Sequence, residues 1–519
     1  MGLLPSRWRR RHRQLAARRS GHRRRRLPGR RAAARARADQ RPGDRRRAPR
    51  GCGVPGGAGD GPPPRRAPAD ARGQRLSTLL AGARAVVTCR GPARARRRGE
   101  MAEVEVLRDA AVLIDGDRIA AVGPYRELRR ATGNVQPVEV SGVLYPGFVD
   151  CHTHAVFGAP RLDDHQRRAL GEDYQSIAAA GGGILESVRD VRARSEDELV
   201  AVTRARLAVL LAHGTTTVEI KSGYGLDLDN ERKQLRVVRR LAAEPGPALV
   251  PTFLGAHEVP PEYRDRRAEF VRLLCDEMIP AVARERLAQF CDAFCEPGVF
   301  TVTEARAIAT AARHHGLGVK LHADELDGSG GAELAAELGA VSADHLAGVS
   351  QAGIGALAQS ATVAVLLPAT MVFLGKGRQA PARRLLDAGA ALALATDFNP
   401  GSSPTVSLPL VMGLGVSQLG LRHAEALIAV TVNAAAALNL ATERGQLAPG
   451  FVADVVACDV ADWREVAYWV GANLVTAVWT AGLPCRSPAA PLSLPVHVET
   501  REAQGSRQDP RGQGPERGG

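Results

Sequence analysis

From Leu76 to about Pro484 the chain alternates short apolar runs with polar or glycine-rich stops and segments of helical period. Eight such runs occupy the centre: Val143–Asp150, Thr215–Ile220, Leu249–Leu254, Leu287–Phe294, Val319–His322, Val341–Asp344, Thr362–Leu367 and Ala391–Thr396. Between them, Glu196–Ala212, Asp229–Ala243, Val302–His315 and Gly331–Leu338 carry apolar residues at helical spacing, which predicts helices. Eight alternations over roughly 300 residues predict an α/β fold, a TIM-like (β/α)8 barrel, whose usual size is about 250 residues before insertions. A doubly wound sheet alternates in the same way, so the count alone does not choose between them. No repeat of fixed period is visible, which disfavours a solenoid.

The flanks of this region differ. Ala83–Cys89 has strand character, and Ala110–Asp115 with Arg118–Val122 predicts a hairpin around Gly116 and Asp117. Near the other end, Ala453–Ala457 and Thr476–Thr480 are again strand-like. The expectation is one small β-sheet domain built from both ends of the body. The organisation is therefore a leader over 1–75, sheet contributions from 76–142 and 441–490, a barrel over 143–440, and a polar, disordered tail over 491–519.

Charge separates the leader from the rest. Residues 1–75 hold 24 Arg, no Lys and four Asp, a net +20, which leaves −5 of the chain's +15 for the remaining residues. The leader has almost no β-branched or aromatic residues and cannot bury enough apolar area to offset its ordering entropy, so disorder is expected. A translation start assigned too far upstream in a GC-rich genome is the first explanation of it, and a disordered arm the second. Secretion fits poorly, since no apolar core follows Arg9–Arg11. Nucleic acid is not expected as a partner, and no run of about 18 apolar residues suggests a membrane span. The eight Cys are scattered, and Cys291 and Cys295 lack partners for a zinc knuckle, so reduced thiols in a cytoplasmic protein are expected.

The reactive side chains favour the barrel. The first run leads into Cys151-His152-Thr153-His154, the second into Lys221-Ser222-Gly223-Tyr224-Gly225, and the third into Gly255-Ala256-His257. The fifth gives His322-Ala323-Asp324-Glu325, the sixth ends in Asp344-His345, and the eighth leads to Asp397-Phe398-Asn399-Pro400-Gly401. Nearly all lie at the C-terminal ends of predicted strands, where a barrel gathers its active site. His152 and His154, two apart on a strand, point to the same side. Joined by His322 and Asp397 they suit Zn²⁺ or a similar ion with room for water. His165 falls in a polar loop, and Lys221 is expected to pair with a carboxylate such as Glu219 rather than to act as a nucleophile.

Pro146-Gly147-Phe148-Val149-Asp150-Cys151-His152-Thr153-His154 resembles the first-strand signature of the amidohydrolase superfamily, and Gly450-Phe451-Val452-Ala453-Asp454 resembles its C-terminal sheet signature. Within that superfamily, Glu219–Leu226, Phe253–Pro260, Lys320–Glu325 and Thr396–Ser403 are similar to the imidazolonepropionase family. The resemblance implies hydrolysis of the cyclic amide of 4-imidazolone-5-propanoate to N-formimidoyl-L-glutamate, a step of L-histidine degradation. It implies one metal ion per subunit, Zn²⁺ or Fe³⁺, held by His152, His154, His322 and Asp397, and a homodimer. Substrate contacts are implied for Arg161, Tyr224, His257, Glu325, Asn399, Gly401 and Ser402, with Ser402 standing where the family often has Thr. His345 is implied near the reacting water. Asp397, through a free second oxygen, and Glu325 would share the proton transfers with it. The strand-four stretch Asp292–Glu296 has no Lys to bridge a second ion. Another cyclic amidase or heterocycle deaminase of the superfamily is the alternative, and it would need no cation for a propionate tail.

Overall fold

The computed structural model describes residues 77–485 except 134, 173–175 and 178–179. The expected disordered leader and tail lie outside the described residues. Eight parallel strands form one sheet in sequence order: β1 (Phe148–Asp150), β2 (Thr215–Lys221), β3 (Ala248–Ala256), β4 (Phe290–Cys295), β5 (Gly318–Ala323), β6 (Ser342–His345), β7 (Val363–Leu366) and β8 (Ala391–Leu394). The chain just beyond β1 pairs with the chain just beyond β8. There the His154 amide donates to the Phe398 carbonyl at 2.9 Å and the Asp397 amide to that of His152 at 3.0 Å. The Asp150 carboxylate reinforces this seam, accepting from the Thr396 amide at 3.1 Å and its hydroxyl at 2.6 Å. The barrel is thereby closed, as the reactive residues gathered at strand ends favoured. A doubly wound sheet would leave both edges open.

Helices follow the strands and cover the outside, with starts written in the sequence. Ser195 caps Glu196–Ala212 and Thr301 caps Val302–His314, each with a glutamate three residues on that returns the bond. Gly331–Leu338 is capped at a distance: the Asp324 carboxylate accepts from the amides of Gly331 and Ala332, both at 3.1 Å. His165, expected in a loop, stands on the short helix Leu162–Ala169, with its ring stacked on Phe373. Among the described residues, no helix is long and apolar enough to cross a membrane, and none of the seven cysteines there is in a disulfide.

The module beside the barrel contains two sheets rather than one. Ser77–Ala81, Ala110–Asp115, Arg118–Pro124 and Pro137–Glu139 make a four-stranded sheet entirely from the N-terminal side. The other has six strands and uses both ends, pairing Val143–Pro146 with Ala85–Val87 on one side and with Val455–Cys458 on the other. Both sheets contribute to one apolar cluster that includes Leu80, Val112, Leu144, Val455 and Trp479. The run Val143–Asp150, expected as one barrel strand, is two strands in two sheets.

Gly147 is where they part. Its amide donates to the Asp454 carbonyl at 2.9 Å, and a β-carbon there would stand 2.1 Å from the Thr216 hydroxyl oxygen. Close approach of module and barrel thus explains the glycine of the first signature and brings it against the aspartate of the second. Gly147→Ala is expected to cost about 2–3 kcal/mol of stability through overpacking, measured by urea unfolding.

Candidate metal centre

Beneath the C-terminal mouth the barrel buries a set of ionised groups. Lys221 Nζ lies 3.1 Å from Glu219 Oε1, 2.7 Å from Asp292 Oδ2 and 3.3 Å from Asp344 Oδ2, all with fully buried side chains. Lys320 Nζ pairs with Glu219 Oε2 at 2.7 Å. Lys221 therefore takes the carboxylate partner expected of it, together with two more from other strands. Burial alone would lower its pKa, but Asp292, Glu219 and Asp344 outweigh burial and hold it above the ordinary lysine range.

Two of these carboxylates hold histidines. Asp344 Oδ2 lies 2.7 Å from His152 Nδ1, and Asp292 Oδ2 lies 3.0 Å from His322 Nδ1. A carboxylate at Nδ1 fixes the proton there and leaves the Nε2 lone pair for a cation. His152 Nε2 is buried without a partner in the protein. It lies 3.5 Å from Asp397 Oδ1, His154 Nε2 lies 3.6 Å from the same oxygen, and His322 Nε2 lies 3.4 Å from His154 Nε2. Ligands bonded at about 2.1 Å around a tetrahedral ion stand about 3.4 Å apart, so these separations fit one ion. Burial first, then neighbouring cationic groups, holds His152 and His154 far below the usual histidine pKa. A metal requires imidazoles in this neutral state.

His345 offers a nitrogen to the same cluster, in a group with His152 and His322. Its Nε2 is unpartnered, and its Nδ1 stands 3.6 Å from Glu325 Oε2. Burial, with Asp397 and Glu296 adding to it, pushes the Glu325 carboxyl up to about 8. The Asp397 carboxyl is pushed up to about 6 by burial, against a hydrogen bond from Thr370. That bond corrects the expectation of a free second oxygen: the Thr370 hydroxyl donates to Asp397 Oδ2 at 2.7 Å. Thr370 lies on Pro368–Phe373, in a stretch with no motif, and no sequence signal marks it.

Beside this cluster the His257 ring is stacked on His154 at 5.1 Å, and Tyr224 lies 5.4 Å from His257. Arg161 is buried with Nε and Nη1 unpartnered, and its guanidinium lies against Gly401, where a β-carbon would come within 1.5 Å of Nη2. Asn399 is engaged within its own loop. Its amide donates to the Asp397 carbonyl at 2.7 Å and the Ser402 hydroxyl at 2.8 Å, and its oxygen accepts from the amides of Gly401 and Ser402 at 2.8 and 2.7 Å. All four hydrogen-bonding positions of that side chain are used.

The loops carrying these groups are held by buried side chains that no motif marks. Glu296 accepts from the Glu325 amide at 2.9 Å and the Asp327 amide at 2.8 Å, and Glu231 accepts from three amides of the loop after β2. Leu226, Asp324, His345, Leu346 and Asp397 have positive φ although none is glycine. This strain collects at the strand ends where the cluster lies.

The comparisons agree with this architecture. The Amidohydrolase family matches residues 143–484, and the Imidazolonepropionase-like composite domain of bacteria matches residues 110–131. An imidazolonepropionase of Solibacter usitatus is 45% identical over 407 residues, 78% of this chain and 97% of that protein. One of Rubrobacter xylanophilus is 49% identical over 397 residues, 76% of this chain and 94% of that protein. Among solved structures, a zinc-bound adenosine deaminase from Xanthomonas campestris shares the fold, with a TM-score of 0.57 and 21% identity over 78% of this chain and 92% of that one. Barrel, module and histidine cluster thus accompany close sequence similarity along nearly the whole length of these relatives. The chain belongs to the imidazolonepropionases of the amidohydrolase family.

Proposed function

We propose that this chain hydrolyses 4-imidazolone-5-propanoate to N-formimidoyl-L-glutamate with one metal ion held by His152, His154, His322 and Asp397. The observation that carries the reading is the buried Arg161 guanidinium, close enough to His257 to act on its charge, with two nitrogens unpartnered. A buried guanidinium with open donors is costly unless a ligand completes it, and a carboxylate matches its fork. The propionate tail supplies that carboxylate, and a heterocycle deaminase substrate without a tail would not.

When bound, the ion lowers the pKa of a coordinated water toward about 7 and so supplies a nucleophile at neutral pH. Zinc and iron both accept this mixture of imidazole and carboxylate. One ion suffices, since β4 carries no Lys and Lys221 is held charged by three carboxylates, which disfavours its conversion to a bridging carbamate.

The remaining chemistry belongs to the chain. Tyr224 and His257 flank the ring, and Arg161 grips the tail. Asp397 accepts the proton released as water adds to the ring carbonyl carbon, at Oδ2, on the lone pair that the Thr370 hydroxyl leaves open. His345, neutral and carrying its proton on Nε2, donates to the oxygen on which charge develops. Glu325, whose pKa burial raises, acts in its protonated form and gives its proton to the ring nitrogen as the C–N bond breaks. Passing the proton of Asp397 on to Glu325 restores both groups. Ser402 and Gly401 shape the wall beside Arg161, and Asn399 holds that wall in place. A homodimer in the cytoplasm completes the reading, supported by the family resemblance.

Metal content and turnover of the full chain test this function. About one zinc or iron per chain, with loss of imidazolone propionate absorbance, is the expected result. His322→Ala should abolish both, and metal without turnover would discard the substrate. Arg161→Ala is expected to raise KM at least tenfold, the loss of about 1.4 kcal/mol or more, while an unchanged KM would remove the carboxylate assignment. Because Glu325 acts in its protonated form, activity should fall as pH rises through its pKa. A bound cation lowers that pKa from about 8. Glu325→Gln should remove this alkaline limb along with most of kcat.

A further inference from the structure

The loop after β2 passes beside the cleft with four consecutive amides turned away from it. Gly223 donates to Glu231 Oε2 at 3.0 Å, and Gly225 and Leu226 donate to Glu231 Oε1 at 2.7 and 2.8 Å. The fourth amide, that of Tyr224, donates to Gln234 Oε1 at 3.0 Å, while Gln234 Nε2 donates to the Val156 carbonyl at 2.9 Å. Glu231 and Gln234 are three apart on the helix Leu228–Ala242, so they lie on one face, and both are fully buried. Neither belongs to a motif, and neither has a part in the chemistry above.

What they hold is an unfavourable conformation. Gly223 has φ +106° and Leu226 φ +55°, and a β-carbon on Gly225 would lie 2.4 Å from the Glu231 amide nitrogen. A buried carboxylate taking three amides fixes such a loop far better than solvent would. The result reaches the cleft through Gly223, whose carbonyl lies 2.9 Å from His257 Nδ1. That contact keeps the proton on Nδ1 and presents Nε2 of His257 as an acceptor. Tyr224 is fixed by the same loop.

We propose that Glu231, seconded by Gln234, is a positioning residue for the ring subsite, setting the wall formed by Tyr224 and His257 and thereby the affinity for a ring bearing an N–H. The proposal rests on the imidazolone reading for its substrate; Glu231 and Gln234 themselves bond to the loop and not to the metal donors, and the wall they set reaches those donors only where His257 stacks on His154. It separates ring binding from the chemical step, because no atom of Glu231 is among the groups assigned a proton transfer.

The test compares full-length wild type with Glu231→Gln, Gln234→Met and a control far from the mouth, Asn433→Ala. Asn433 holds Arg96 and Leu392 by hydrogen bonds to their backbone, so its loss lowers Tm without touching the cleft. KM, kcat, metal content and Tm are measured for each, together with calorimetric binding of 3-(imidazol-4-yl)propanoate, which has ring and tail but no cyclic amide. Glu231→Gln is expected to raise KM and the Kd for this probe about tenfold, with kcat within about threefold and metal content unchanged. Asn433→Ala should lower Tm and leave KM and Kd alone. A folded Glu231→Gln protein with wild-type KM and Kd, or one that loses kcat alone, overturns the proposal. Should Glu231→Gln fail to fold, Gln234→Met decides by the same readouts. Wild type that binds the probe but turns over no imidazolone propionate refutes the substrate and not the positioning role. Wild type that does neither overturns both.

Discussion

The ammonium of Lys221, shared among three buried carboxylates on β2, β4 and β6, is the contact on which the rest of the site depends. Two of those carboxylates hold His152 and His322 by their Nδ1 atoms, so one cation fixes the orientation of two metal donors. Buried charges are tolerated only when paired with good geometry, and here the pairing runs across strands rather than within one. Lys221 and Lys320 face Glu219, Asp292 and Asp344, so the cluster below the mouth has three carboxyl groups to two ammonium groups. That excess favours a cation above it, where the histidine nitrogens and Asp397 converge.

The strands and the helices divide the work of building the cleft. Strands and their immediate extensions supply the donor atoms, because parallel register places the ends of β1, β5, β6 and β8 around a single mouth. Helices supply buried polar side chains that fold the connecting loops, as Glu231 does for the loop after β2 and Thr370 for the carboxyl of Asp397. The glycines at 147, 225 and 401 mark close approaches between these layers, where a side chain would meet Thr216, Glu231 or Arg161. Strain in the backbone at Asp324, His345 and Asp397 is sustained because the surrounding hydrogen bonds over-determine it.

This division explains which parts of the protein were legible in its sequence. Local information was sufficient for the eight alternations, the capped helices Glu196–Ala212 and Val302–His314, and the placing of His152, His154, His322 and Asp397 at strand ends. Apolar periodicity and capping are written within a few residues, and a barrel converts strand ends into neighbours without further instruction. Only the tertiary structure decided that Val143–Asp150 divides between two sheets at Gly147, that the flanking module is two sheets, and that Thr370 occupies the second oxygen of Asp397. It also decided that Asn399 is spent within its loop, and that Asp292 and Asp344 reach Lys221 from separate strands. Those facts rest on contacts between residues far apart in the chain, and such contacts leave no periodic trace in sequence because they are set by where the closed barrel brings side chains together in space.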